Sequence, residues 1–121
     1  MANILIVDDS STMRKIISRS LRQAGLAVDE IYEAGDGIDG LNALAANKSV
    51  DLILSDINMP NMDGLEFVKQ VRANGNNVPI VMITTEGGEE VIKEAISSGA
   101  SDSIKKPFTP EQLQEKLGSF L

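Results

Sequence analysis

Along this chain, short runs rich in Ile, Leu and Val alternate five times with longer segments whose apolar residues recur every three or four positions. A run of the first kind suits a strand, and a segment of the second kind suits a helix with one buried face. The spacing predicts strands over Asn3–Val7, Val28–Glu33, Asp51–Ser55, Pro79–Thr84 and Ser101–Lys105. Ile4-Leu5-Ile6-Val7, Leu52-Ile53-Leu54 and Ile80-Val81-Met82-Ile83 are apolar without a break. Such runs suit strands covered by helices on both faces, so these three belong at the centre of a sheet.

The first helix is expected over Ser11–Ala24, with Met13, Ile16, Ile17, Ser20, Leu21 and Ala24 in one stripe and Gly25 as its stop. A second spans about Asp36–Ala46 with Ile38, Leu41, Leu44 and Ala45 inward. A third spans about Gly64–Ala73 with Leu65, Val68 and Val71 inward, ahead of the breaker run Asn74-Gly75-Asn76-Asn77. The fourth, about Glu89–Ser98, would bury Val91, Ile92, Ala95 and Ile96 and stop at Gly99. The last has the clearest start: Thr109 caps, Pro110 fits the first turn and Gln112 completes a capping box before Leu113, Leu117 and Phe120. Five strands alternating with five helices predict an α/β fold, a doubly wound parallel sheet with right-handed crossovers. At 121 residues this is one domain, given roughly 100–200 residues per domain.

Composition narrows the chemistry. The chain has no cysteine and no histidine, which removes disulfides, thiol nucleophiles, Ser-His-Asp catalysis and His- or Cys-ligated metals. Any metal must be a hard cation on oxygen ligands. Eleven Lys plus Arg against eighteen Asp plus Glu leave a net charge of −7, which repels a phosphate backbone and points to protein partners rather than nucleic acid. No apolar run exceeds four residues, and Met1 to Val7 lacks the basic start and apolar length of a signal peptide. The expectation is a cytoplasmic protein with no membrane segment.

In open parallel sheets the chemistry sits outside the carboxyl ends of the strands. Asp8 and Asp9 follow the first strand, Asp56 the third, Thr84 the fourth and Lys106 the fifth, whereas no such group is read after the second. An Asp after a strand is often only the cap of the next helix. Asp51 and Asp63 are read that way, as the opening of strand three and the cap of helix three. Clustered carboxylates, in contrast, repel one another and any phosphoryl donor unless a divalent cation lies between them, and Mg2+ fits oxygen ligands and retained waters best. Gly87-Gly88 lacks the spacing of a phosphate-binding loop and reads as a hinge, while Gly35-Asp36-Gly37 reads as a turn and helix start.

The segments Ile6-Val7-Asp8-Asp9-Ser10, Leu54-Ser55-Asp56-Ile57-Asn58-Met59-Pro60-Asn61-Met62-Asp63-Gly64, Thr84-Thr85-Glu86 and Lys105-Lys106-Pro107-Phe108 together resemble the receiver domain of bacterial two-component response regulators. Among its branches the stand-alone chemotaxis regulators are the most similar. The resemblance covers the whole chain and implies a flavodoxin-like (βα)5 fold with strand order 2-1-3-4-5. It also implies a monomeric switch that catalyses only its own phosphorylation and dephosphorylation. Asp56 would accept a phosphoryl group from a histidine kinase. Asp9, Asp56 and the Asn58 carbonyl would ligate Mg2+, with Asp8 acting largely through a bound water. Lys106 and Thr84 would hold the phosphoryl oxygens. Asn58 and Glu86, two residues beyond the Asp and the Thr, would govern access of the hydrolysing water. A cis Lys106–Pro107 bond is implied as well.

Output would run through helix four, strand five and helix five to a flagellar motor switch protein, with a phosphatase as a further partner. Ser103 departs from the family, which usually has an aromatic residue there; coupling would then run through Thr84 and the Thr85–Gly88 segment. A phosphate sink or relay step is the alternative within the family. Two other classes stay open. A Mg2+-dependent aspartyl phosphatase would place its nucleophile after strand one in an Asp-x-Asp arrangement, unlike the contiguous Asp8-Asp9. A flavin mononucleotide carrier would set its phosphate against Asp8 and Asp9 and would want aromatic stacking, which one Tyr and three Phe hardly supply.

Overall fold

The computed structural model describes residues 2–85 and 88–121. The Gly87 part of the expected hinge, and Glu86, therefore lie outside the described residues, as does Met1. The order of elements is β1 (Ala2–Val7), α1 (Ser11–Gln23), β2 (Val28–Ala34), α2 (Gly37–Ala46), β3 (Leu52–Asp56), α3 (Gly64–Ala73), β4 (Ile80–Thr84), α4 (Glu89–Ser98), β5 (Asp102–Lys105) and α5 (Pro110–Leu117), followed by a 3-10 turn over Gly118–Phe120. The strands form one parallel sheet in the order β2-β1-β3-β4-β5. The three unbroken apolar runs are its central strands, as expected.

Alternate residues of those strands enter two separate cores. Leu5, Val7, Ile53, Ile80 and Met82 pack with Phe67, Val68, Val71 and Ala95 of α3 and α4. Ile4, Ile6, Leu52, Leu54, Val81 and Ile83 pack on the other face with Ile17 and Leu21 of α1 and Leu113 and Leu117 of α5. Each side chain fully withdrawn from water here contributes about 1.5–3 kcal/mol to folding before entropy is counted.

The cap signals act where the spacing places them. Thr109 and Gln112 form the reciprocal capping box of α5, and Asp63 caps α3 through Glu66 N–H at 2.9 Å. The expected end of α1 shifts by one residue, because Ala24 is its C-cap and Gly25 takes the left-handed turn at φ 72°.

Three inward stripes need correction. Ile16 of α1 is exposed, as are Ile38 and Ala45 of α2 and Val91 and Ile96 of α4. On α2 the cause is glycine: Gly37 and Gly40 form the buried face, and a Cβ on Gly40 would lie 2.7 Å from Phe67 Cε1. Hydrophobic periodicity cannot register a face made by absent side chains. On α4 the only fully buried residue is Ala95, whose small side chain lets the helix sit close over β4 and leaves Val91 and Ile96 outside. Conversely Phe67, absent from the expected α3 stripe, is the largest fully buried side chain described. Among the described residues, no helix is long and apolar enough to cross a membrane.

Candidate functional site

The parallel register sets the strand ends side by side: Val7 is level with Ser55, Asp56 with Ile83, and Thr84 with Lys105. Chain that leaves β1, β3 and β5 therefore delivers Asp8-Asp9, Asp56 and Lys106 to one edge of the sheet. Carboxylate oxygens of Asp8, Asp9 and Asp56 all lie within 4.8 Å of one another. Lys106 Nζ stands 3.6 Å from Asp8 Oδ2 and 4.0 Å from Asp56 Oδ2. The Lys106–Pro107 bond is cis.

The three carboxylates differ in setting. Asp8 forms the floor at 1% exposure; its Oδ1 accepts the Ser10 N–H at 2.9 Å, while its buried Oδ2 has no hydrogen-bond partner. A buried, unpartnered carboxylate oxygen is costly unless a cation serves it. Asp9 is exposed at the rim. Asp56 lies between them, its Oδ1 accepting the Ile57 N–H at 2.7 Å. Burial pushes the Asp56 carboxyl above its ordinary range, helped by the charges of Asp8 and Asp9 and opposed by the Ile57 N–H and Lys106. This donor set fits a hard divalent cation: all-oxygen, net negative even with the Lys106 ammonium beside it, and with one buried oxygen that no hydrogen bond satisfies. Neither Asp8 nor Asp9 caps α1; that role belongs to Ser10, whose hydroxyl accepts the Met13 N–H at 3.1 Å.

The remaining sequence-derived candidates spread outward from this cluster. Thr84 ends β4 and is buried, and its hydroxyl donates to the Thr85 carbonyl at 3.1 Å. Gly88 abuts that hydroxyl so closely that a Cβ would overlap Thr84 Oγ1. Thr85 and Asn58 are exposed loop residues, and Ser103 is half-buried on β5, level with Met82. Ser103 lines a groove with Gln112, Glu115 and Lys116, which none of the three carboxylates lines. Glu86 lies outside the described residues. Asp51 is structural, accepting the Asn3 N–H at 2.8 Å.

Two features escaped the reading of strand ends. Arg14 of α1 donates to the Asp8 carbonyl at 2.6 Å and pairs with Glu33 at 2.8 Å, tying the cluster's floor to β1's neighbour strand. The absence of a polar group after strand two is also corrected: Asp36 follows β2, is buried, and takes a 2.7 Å hydrogen bond from Asn61 in the loop after β3. Its pairing spans 25 residues, and no local spacing signals it.

The comparisons with known proteins agree with one another. The sequence profile described as the response regulator receiver domain matches residues 4–118. The chain is 45% identical over 120 residues to the chemotaxis protein CheY homolog of Campylobacter jejuni, covering 98% of this chain and 91% of the relative. It is 45% identical over 116 residues to chemotaxis protein CheY1 of Helicobacter pylori, covering 94% and 92%. The solved structure of Vibrio cholerae chemotaxis protein CheY4 superimposes with a TM-score of 0.86 at 41% identity, covering 100% of this chain and 99% of that one.

Proposed function

The chain belongs to the response regulator receiver domain family, and from that premise we propose that it is a phosphorylation switch whose phosphoryl acceptor is Asp56. The observation that carries the proposal is the cluster itself: three carboxylates within 4.8 Å with the Lys106 ammonium 4.0 Å from the central one. Asp8 is too buried to meet a donor and Asp9 too exposed to be positioned, whereas Asp56 is both held and reachable.

An Asp56 carboxylate oxygen attacks phosphorus in line; an O–P bond forms as the P–N bond to the kinase histidine breaks, and the imidazole leaves with that electron pair and takes a proton from water. Lys106 offsets charge on the phosphoryl oxygens, and the Thr84 hydroxyl turns from the Thr85 carbonyl to donate to one of them. Asp8, Asp9, Asp56 and the Asn58 carbonyl are the groups that would hold Mg2+, which when bound supplies charge neutralisation between the carboxylates and the incoming phosphoryl group. Asn58 and Glu86, two residues beyond Asp56 and Thr84 in the sequence, would govern access of the hydrolysing water. Hydrolysis of the acyl phosphate then resets the switch, with no other turnover.

The curated relatives are chemotaxis proteins, which supports a chemotaxis histidine kinase as donor and a motor switch protein as target. The face of α4, β5 and α5 would meet that target, with Val91 and Ile96 as its exposed apolar residues. The test is transfer of labelled phosphate from a phosphorylated histidine kinase in the presence of Mg2+. Wild type should acquire an acyl phosphate that is lost on mild alkali, and Asp56→Asn should acquire none. Undiminished labelling of Asp56→Asn would overturn the assignment.

A further inference from the structure

Asp36 is a buried acid whose two oxygens do different work. Oδ1 accepts the Asp39 N–H at 2.8 Å and caps α2, while Oδ2 accepts the Asn61 side-chain amide at 2.7 Å. A cap needs only the first of these. The second reaches across to the loop joining β3 to α3, residues 57–63, which contains Asn58. Asn61 stands there in the left-handed region at φ 65°, and its amide, with the Asp39 N–H, holds the Asp36 carboxyl below the ordinary range. Beside this bridge the Gly37 N–H donates to the Met62 carbonyl at 3.0 Å, and a Cβ on Gly37 would lie 2.6 Å from Met62 Cγ. At its base the loop is closed by the Gly64 N–H on the Ile57 carbonyl at 2.7 Å. The segment that follows Asp56 is thus clamped at both ends, at one of them by a residue from a different βα unit.

We propose that Asp36 and Asn61 are positioning residues for divalent-cation binding at Asp8, Asp9 and Asp56. The proposal rests on the cation reading of that cluster. Asp56 and Asn58 would supply ligands from just before and just inside this loop, and an unrestrained loop loses backbone entropy when a ligand fixes it. The bridge removes part of that cost beforehand, which is how preorganisation raises affinity. By linkage, an ion in the cluster also strengthens the attachment of α2.

Calorimetric titration with MgCl2 tests this on three variants of the full chain. Asn61→Gly keeps the left-handed backbone and deletes the amide. Asp36→Ser keeps a hydroxyl to cap α2 and deletes the second oxygen. The double variant closes the cycle. Each single change should weaken Mg2+ binding about fivefold or more, the double no more than the weaker-binding single, and the melting temperatures of the metal-free proteins should move little. Wild-type affinity in both singles would overturn the proposal, as would a double variant whose loss equals the product of the two, since independent effects multiply. Wild-type protein that takes up no Mg2+ would overturn the cation reading itself, and this inference with it.

Discussion

At the scale of single residues, the charge state of Asp56 sets a test that needs no partner. Its carboxyl is raised from an ordinary value of 3.8, by burial first and then by Asp8 and Asp9. A carboxyl that binds its proton more tightly folded than unfolded contributes stability below the ordinary value and withdraws it as pH rises through the folded value. Metal-free protein should therefore weaken across the mildly acidic range and stay weakened at neutrality. Asp56→Asn keeps the acceptor for the Ile57 N–H but has nothing to ionise. Its metal-free form should melt a few degrees above wild type at about pH 7, with the gap closing toward about pH 4. Millimolar Mg2+ should narrow the gap at neutrality by raising wild type alone. A gap independent of pH would show that the carboxylates do not oppose folding. The same residues show why this much was readable: they lie within two positions of the end of an unbroken apolar run, and β1 and β3 are neighbours, so sequence position maps directly onto one edge. The Asp36–Asn61 bridge was not readable, because it joins two loops through a contact that neither loop's composition implies.

At the scale of elements, two of the helices that departed from expectation, α2 and α4, are packed through small residues. Gly37 and Gly40 bring α2 against Met62 and Phe67, and Ala95 brings α4 against β4. Periodicity weighs side chains by bulk, so it assigned Ile38, Val91 and Ile96 to the interior. Something other than apolar burial must then steady α4, and Arg72 at the end of α3 does so. Its Nε and Nη2 donate to the Gly99 carbonyl at 3.0 and 2.8 Å, and its Nη1 donates to Val78 and Asn76 carbonyls at 2.7 and 2.9 Å. One guanidinium thereby joins the end of α3, the end of α4 and the entry to β4. Arg72→Met, which keeps the length of the stem, should lower the free energy of unfolding by about 2 kcal/mol, the loss expected when carbonyls bonded to a charged donor are left without it. Arg72→Lys should recover less than half, because an ammonium lacks the planar fork. Denaturant midpoints unchanged in both would mean that these hydrogen bonds are replaced by water at no cost.

At the scale of the whole molecule, the question is how phosphorylation of Asp56, as proposed, would reach the proposed α4-β5-α5 output face. The family resemblance implies an aromatic side chain on β5 that would report it by turning inward; Ser103 has no ring to turn. What this chain offers instead is the contact between Thr84 and the start of α4. The Thr84 hydroxyl is engaged by the Thr85 carbonyl and lies where any side chain on Gly88 would have to be, and Gly88 is the N-cap of a helix with one fully buried residue. If that hydroxyl is drawn toward a phosphoryl group, the Gly88 end of α4 loses the neighbour against which it is fitted. A lightly packed helix then shifts at small cost, whereas β5 stays held by its register with β4 and by the Lys116–Asp102 pair at 3.3 Å. Backbone amide shifts of the metal-loaded protein with and without beryllofluoride should thus change most, beyond the immediate surroundings of Asp56 and Lys106, at Thr84, Thr85 and Gly88–Val91, and little at Ser103 and along α5. Substituting Gly88→Ala should mimic part of the change without any phosphate analogue, because the added methyl displaces the same hydroxyl. Largest changes at Ser103 and α5 with a still Gly88–Val91 would place the route through β5 after all.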